Sequence, residues 1–263
     1  MYLKTTAKSQ CLMRGVDFHV ILPYHDGAPD VERPYPTLYF LPGFSCNGEE
    51  IIFALPLRQM ATKYGIAVVV PDGENLFYTD HPERAASMGQ YAGKELLEIT
   101  RKLFPCLSHR REDTFIAGIS MGGYGAAVLG LHYEELYSKI LLFSPAVEAD
   151  SLLLRQPDMP GAIPASMFTE VIGGMDAYQT SPRLNAFRAI ENAKQAGKPI
   201  PPIWMCCGEE DLLVRDACKH LEAWMERYHV VHQTVNGHGG HDYIYWDAHL
   251  EEAFRFLGRE PRF

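Results

Sequence analysis

The residues best equipped for chemistry stand together at Gly118-Ile-Ser120-Met-Gly122. There an apolar run, residues 115–119, ends in a serine flanked by glycines, with Gly123 and Gly125 close behind. A strand that turns sharply into a helix at Gly-x-Ser-x-Gly lifts the serine oxygen above the edge of a sheet, where it can attack a carbonyl carbon. Positions two before and two after the serine crowd each other at such a turn, and glycine has no Cβ to clash. A serine hydroxyl is a weak nucleophile alone. It needs a base to take its proton, an acid to orient that base, and N–H donors aimed at the developing oxyanion.

Candidates for each part follow the serine or precede it on loops. Cys207-Gly-Glu-Glu-Asp211 ends an apolar run, so Glu209, Glu210 and Asp211 all fall on one loop. Asp211 stands at the junction with the next helix and is the chosen acid, with Glu210 the alternative. Asp is also a favoured residue at a helix start, which gives Asp211 a second, purely structural reading. The base is sought in Asn236-Gly-His-Gly-Gly-His241, where His238 and His241 compete. His241 enters the final helix, and Gly239 and Gly240 leave the loop free to bring an imidazole over the serine. The His-x-x-His spacing lacks a third ligand in a matching setting, so no metal is expected. The oxyanion donors are the backbone N–H groups of Met121 and of Phe44, the latter in Pro42-Gly-Phe-Ser-Cys-Asn47. Cys46 has no base motif beside it and reads as a wall residue. Phe44 and Tyr124 are the expected substrate-binding residues, with Phe77, Tyr78 and Trp246 as further aromatic candidates.

The elements that must position these groups alternate in type. Apolar runs at residues 37–41, 66–70, 115–119, 139–144 and 201–207 suit buried parallel strands, and residues 16–22 alternate like a half-exposed strand. The last strand is read at residues 228–235. Helical spacing occupies residues 49–64 with a break near Pro56, then 95–104, 212–228 and 246–256. This is the pattern of an α/β fold with a mostly parallel central sheet flanked by helices. Residues 23–36 form a loop rich in Pro, Gly and Asp. Residues 149–185 carry no clean strand, and Pro157, Pro160, Pro164, Gly161, Gly173 and Gly174 punctuate them. They read as a small lid or pocket wall after the sixth strand. The chain, residues 1–263, is read as a single domain.

Composition narrows the function. With 24 basic against 33 acidic residues, net −9, and no basic patch, neither nucleic acid nor an anionic membrane is an expected partner. The first residues contain no apolar leader, and no run is long enough to span a membrane. Six cysteines without paired spacing fit reduced thiols and a cytoplasmic protein.

Taken in order, Leu41-Pro-Gly-Phe-Ser-Cys46, Pro71-Asp-Gly73, Phe77-Tyr-Thr-Asp80, Gly118-Ile-Ser-Met-Gly-Gly-Tyr-Gly125, Cys207-Gly-Glu-Glu-Asp211 and His241-Asp-Tyr-Ile-Tyr-Trp246 resemble the esterase family related to esterase D. The similarity is strongest to bacterial tributyrin-type short-chain carboxylesterases. The resemblance implies an α/β-hydrolase fold and a triad of Ser120, Asp211 and His241, and it favours His241 over His238. It also implies hydrolysis of short-chain acyl esters without a cofactor, and a capacity to form homo-oligomers. Related members act as feruloyl or acetylxylan esterases, as S-formylglutathione hydrolases, or as acyltransferases on the same triad. Two positions depart from the relatives: Pro42 replaces a histidine common before the oxyanion-loop glycine, and Tyr124 replaces a histidine of the S-formylglutathione hydrolase branch.

Overall fold

The computed structural model describes residues 1–23, 34–148 and 165–262. Most of the loop expected at 23–36, and residues 149–164 of the expected lid, lie outside the described residues. Eight strands make one sheet: β1 (Tyr2–Lys8), β2 (Gly15–Ile21), β3 (Thr37–Leu41), β4 (Ala67–Pro71), β5 (Thr114–Ile119), β6 (Lys139–Phe143), β7 (Ile203–Gly208) and β8 (His232–Gly237). Their order is β1-β2-β4-β3-β5-β6-β7-β8. β1 and β2 are antiparallel, β2 is antiparallel to β4, and from β4 through β8 every neighbour is parallel.

Side-chain alternation divides the core between the two faces. On β3, Leu38 and Phe40 pack with residues of helices α1 (Gly48–Ala54), α2 (Leu57–Tyr64) and the C-terminal helix, Tyr243–Phe256. Tyr39 and Leu41 point the other way. There they meet α3 (Leu96–Leu103), α4 (Met121–His132), and the helices Ala186–Gln195 and Arg215–Arg227. Each fully buried aliphatic or aromatic side chain of this kind contributes roughly 1.5–3 kcal/mol. α4 is the most deeply placed, with every residue from Met121 to Leu131 buried, and it follows directly on β5.

The α1–α2 break falls at Pro56, as expected. Two expectations change. Residues 2–8, read only as lacking an apolar leader, form edge strand β1, paired with β2 from Tyr2↔Ile21 to Lys8↔Gly15. Its burial alternates between exposed and half-buried, so it carries no strong apolar signal, and its lysines suit an unpaired sheet edge. The last strand begins later than expected, at His232, because Tyr228 still closes the preceding helix and His229 leaves it in a left-handed conformation (φ 49°).

The described part of residues 149–185 contributes α5 (Ala165–Ile172) and α6 (Met175–Thr180). Val171, Ile172 and Tyr178 are buried, and the Tyr178 hydroxyl donates to the Val147 carbonyl at 2.5 Å. α5 packs on the core through Val171 and Ile172 and is hydrogen-bonded to the body there. The Val171 carbonyl accepts from Thr79 Oγ1 (2.9 Å) and from His81 Nε2 (2.8 Å).

Candidate active site

Ser120 sits where β5 becomes α4, with φ 54° and ψ −115°, a conformation that a non-glycine residue adopts only under constraint. The constraint is visible. Its N–H donates to Phe143 O at 2.9 Å, and its carbonyl accepts from the N–H groups of Tyr124 (2.9 Å) and Ala146 (3.0 Å). A Cβ at Gly118 would collide with the Gly122 carbonyl, and one at Gly122 with the Leu41 carbonyl. Those two glycines are therefore required by close approach of backbone to backbone.

Asp211 lies on the loop after β7 and His241 on the loop after β8, two adjacent parallel strands. The His241 Nδ1 to Asp211 Oδ2 distance is 2.8 Å, with Asp211 fully buried and the His241 side chain 21% exposed. Asp211 Oδ1 accepts the N–H groups of Leu213 and Val214, each at 3.1 Å, so it also organises the turn into the next helix. Different oxygens meet the histidine and the turn, and the helix itself begins later than expected, at Arg215 with Val214 at its N-cap. Burial pushes its pKa up, but hydrogen bonding and charge from His241, the Ser144 hydroxyl and the Val214 N–H outweigh burial. The net value lies below the ordinary one.

The competing pair is separate. His238 Nδ1 meets Glu210 Oε1 at 3.1 Å on the surface, with the two side chains 93% and 58% exposed. Glu210 Oε2 accepts the Gly239 N–H at 2.6 Å. This pair shapes the histidine loop from outside. Among the described residues His241 hydrogen-bonds Asp211 and not Ser120. Contacts to a nucleophile are often long until substrate binds.

Two further residues close around the pair, and sequence reasoning named only one of them. The Trp246 ring stands edge-on to His241 (centroids 5.1 Å apart, 86°), and its Nε1–H donates to Ser144 Oγ at 3.0 Å. Ser144 is fully buried at the end of β6, with φ 43°. An indole can only donate, so the Ser144 proton is free to point to the Asp211 carboxylate that it helps to keep charged. The one signal for Ser144 in the sequence is its place just past an apolar run, on the same sheet edge as Ser120.

On the other side of Ser120, the loop after β3 lies directly over the elbow. A Cβ at Gly43 would stand 3.5 Å from Ser120 Cβ and 3.4 Å from the Ile119 carbonyl. The next residue is Phe44. Met121 N–H is the first of α4, where no intrahelical acceptor exists and the helix dipole favours negative charge. Cys46 Sγ lies 3.0 Å from the Tyr243 hydroxyl, and burial pushes its thiol up to about 11, so it is protonated at neutral pH. Phe44 packs on Phe77 (6.1 Å) and Phe77 on Tyr124 (5.8 Å). Tyr124 is fully buried and its hydroxyl donates to Leu184 O at 2.6 Å. Tyr124, expected to touch substrate, lies buried behind the Phe77 ring. A groove of about 1180 Å³ beside Phe53 and Glu251 shares no residue with this site.

A mostly parallel sheet with helices on both faces, a strained serine on the elbow after β5, and a buried Asp–His pair on the following loops together define a serine hydrolase of the α/β-hydrolase fold. Comparison with known proteins agrees. The chain matches the family described as "Putative esterase" over residues 9–257 and belongs to that family. It is 33% identical to an acetyl esterase of Caldicellulosiruptor saccharolyticus over 228 residues, 85% of this chain and 83% of that protein. It is 30% identical to an S-formylglutathione hydrolase of Paracoccus denitrificans (strain Pd 1222) over 160 residues, 52% of this chain and 54% of that one. Among solved structures, the substrate-bound fluorophosphonate-binding serine hydrolase F of Staphylococcus aureus superposes with a TM-score of 0.81 at 25% identity, covering 99% of both chains. The protein is a carboxylic ester hydrolase.

Proposed function

We propose that the chain hydrolyses short-chain acyl esters through an acyl-enzyme on Ser120. The observation that carries this reading is the buried 2.8 Å Asp211–His241 pair at the sheet edge that holds the strained Ser120. With Nδ1–H committed to Asp211, His241 Nε2 accepts the Ser120 proton as Oγ bonds to the ester carbonyl carbon. The carbonyl oxygen becomes an oxyanion held by the Met121 and Phe44 N–H groups. As it collapses, the C–O bond to the alcohol breaks and His241 returns the proton to the leaving oxygen. Water repeats the sequence on the acyl-serine and frees the acid. Asp211 fixes the imidazole tautomer and stabilises its charged form.

Short acyl groups are favoured because Phe44 and Phe77 pack at a tilt beside the elbow with Tyr124 filling the space behind them. The acetyl esterase relative points the same way. The test is p-nitrophenyl acetate, butyrate, octanoate and feruloyl ester hydrolysis, with Ser120→Ala alongside. Activity falling from acetate to octanoate and lost in the variant is expected. Strong feruloyl turnover would move the substrate to plant-polymer esters, and a variant that keeps its rate would remove Ser120 from the mechanism.

A second reading, an S-formylglutathione thioesterase, is favoured by the Paracoccus relative, and S-formylglutathione belongs in the same assay. Product analysis with an added alcohol separates hydrolysis from acyl transfer. We further propose a cytoplasmic setting, small-molecule partners only, and self-association. A net charge of −9 argues against nucleic acid, and no helix among the described residues is long and apolar enough to cross a membrane. Size-exclusion chromatography decides the self-association.

A further inference from the structure

The oxyanion donor at Phe44 belongs to the Gly43–Phe44 peptide, and both flanking peptides are pinned by one neighbouring loop. On one side the Tyr78 hydroxyl donates to the Pro42 carbonyl at 2.8 Å. On the other, Asn75 Oδ1 accepts the Ser45 N–H at 2.6 Å. The loop that supplies both side chains follows β4 and is strained throughout. Glu74, Asn75, Phe77 and Tyr78 all have positive φ, at 54°, 51°, 47° and 53°, although none is glycine. For aromatic residues this is a conformational outlier, and each such residue costs on the order of 1–3 kcal/mol. Strain of that size persists only where surrounding contacts over-determine it.

Those contacts are present. Tyr78 is buried, and its ring occupies the space that a Cβ at Gly125 of α4 would take. Arg14 forms an ion pair with Glu74 at the start of the run. Thr79 Oγ1 anchors the end through the carbonyls of Leu76 (2.7 Å) and Val171 (2.9 Å). The strained run thus presents one acceptor and one donor at the two peptides between which the Phe44 N–H lies.

We infer that Asn75 and Tyr78 are positioning residues that hold the Phe44 N–H in its oxyanion-binding direction. The inference rests on the mechanism proposed above. Without the clamp, the Gly43–Phe44 peptide can rotate, and one preorganised donor is lost to the transition state while ground-state binding is little altered.

The test uses three variants of the whole chain. Asn75→Gly keeps the left-handed backbone and removes the acceptor. Asn75→Asp keeps an acceptor at the same position. Tyr78→Phe keeps the ring packing and removes the donor. For Asn75→Gly and Tyr78→Phe, kcat on p-nitrophenyl acetate is expected to fall about tenfold or more, with KM within about twofold of the parent. Affinity for a trifluoromethyl ketone, which forms the tetrahedral adduct, should fall in parallel. Asn75→Asp should restore most of the kcat lost in Asn75→Gly. Unchanged kcat, or a loss confined to KM, or unchanged trifluoromethyl ketone affinity, overturns the assignment. Ser120→Ala reports separately on the underlying mechanism. If that variant retains activity, the triad reading fails, whatever the clamp variants do.

Discussion

The two sides of Ser120 are built in opposite ways. The proposed acid–base side, on the loops after β6, β7 and β8, is a set of hydrogen bonds converging on one buried carboxylate side chain. Asp211 there receives His241, Leu213 and Val214. The oxyanion side, on the loops after β3 and β4, uses main-chain groups held by strained backbone, with five non-glycine residues at positive φ (Ser45, Glu74, Asn75, Phe77 and Tyr78). The chemistry explains the contrast. A proton shuttle needs particular side chains in particular protonation states, and buried hydrogen bonds fix those. An oxyanion needs N–H direction alone, which any residue can supply if its peptide is locked.

Removing the acid breaks the first side outright. Asp211→Asn is expected to lower kcat about 10⁴-fold, because the imidazole loses its orienting acceptor. Single-turnover assays with p-nitrophenyl acetate measure it, and a loss below about tenfold would mean that the acid–base side does not work as a unit.

A milder change sharpens the comparison. Ser144→Ala leaves the Trp246 Nε1–H unpaired and withdraws one hydroxyl from Asp211. We expect kcat to fall about tenfold and stability to drop by about 1–3 kcal/mol, the cost of an orphaned buried donor. Urea titration and steady-state kinetics report on the two separately. Asn75→Gly on the opposite side should lower kcat with no such loss of stability, since it relieves strain and leaves the exposed Ser45 N–H to water.

Acid titration gives a third contrast. The folded-state pKa of Asp211 lies below the ordinary 3.8, so its contribution to stability is present above that value and is lost as pH falls through the lower folded value. The difference in Tm between the parent and Asp211→Asn should therefore be largest near neutrality and shrink below about pH 4. A difference that grows with acid would contradict this placement of the charge. The smallest effect is expected at the acyl wall. Phe77→Ala should raise the octanoate-to-acetate ratio of kcat/KM a few-fold by opening space beside Phe44, with the Ser120 labelling rate by a fluorophosphonate nearly unchanged.

Residues with local signatures were legible from the start. Ser120 was marked by Gly118 and Gly122, whose lack of a Cβ is demanded by backbone contacts within the same turn. The break at Pro56 and the parallel core strands were equally plain. β1 was not, because an edge strand with one exposed face carries no apolar run. For Tyr124 the sequence shows an aromatic ring beside the nucleophile, but its burial behind Phe77 is a matter of packing.

By itself the sequence determined the kinds of groups available and the strands that deliver them to one sheet edge, since both follow from short-range sterics and hydrophobic periodicity. In the sequence, Asp211 is preferred to Glu210 by its place at the junction with the next helix, and His241 to His238 by its entry into the final helix and by resemblance to relatives. In three dimensions the pairs differ in burial: Asp211 is fully buried beside a His241 that is 21% exposed, whereas Glu210 and His238 both face water. The strained run at residues 74–78 belongs wholly to tertiary structure. No glycine lies within it, and the packing of Tyr78 against α4, the Arg14–Glu74 ion pair and the bonds to Pro42, Ser45, Leu76 and Val171 hold those residues in that conformation.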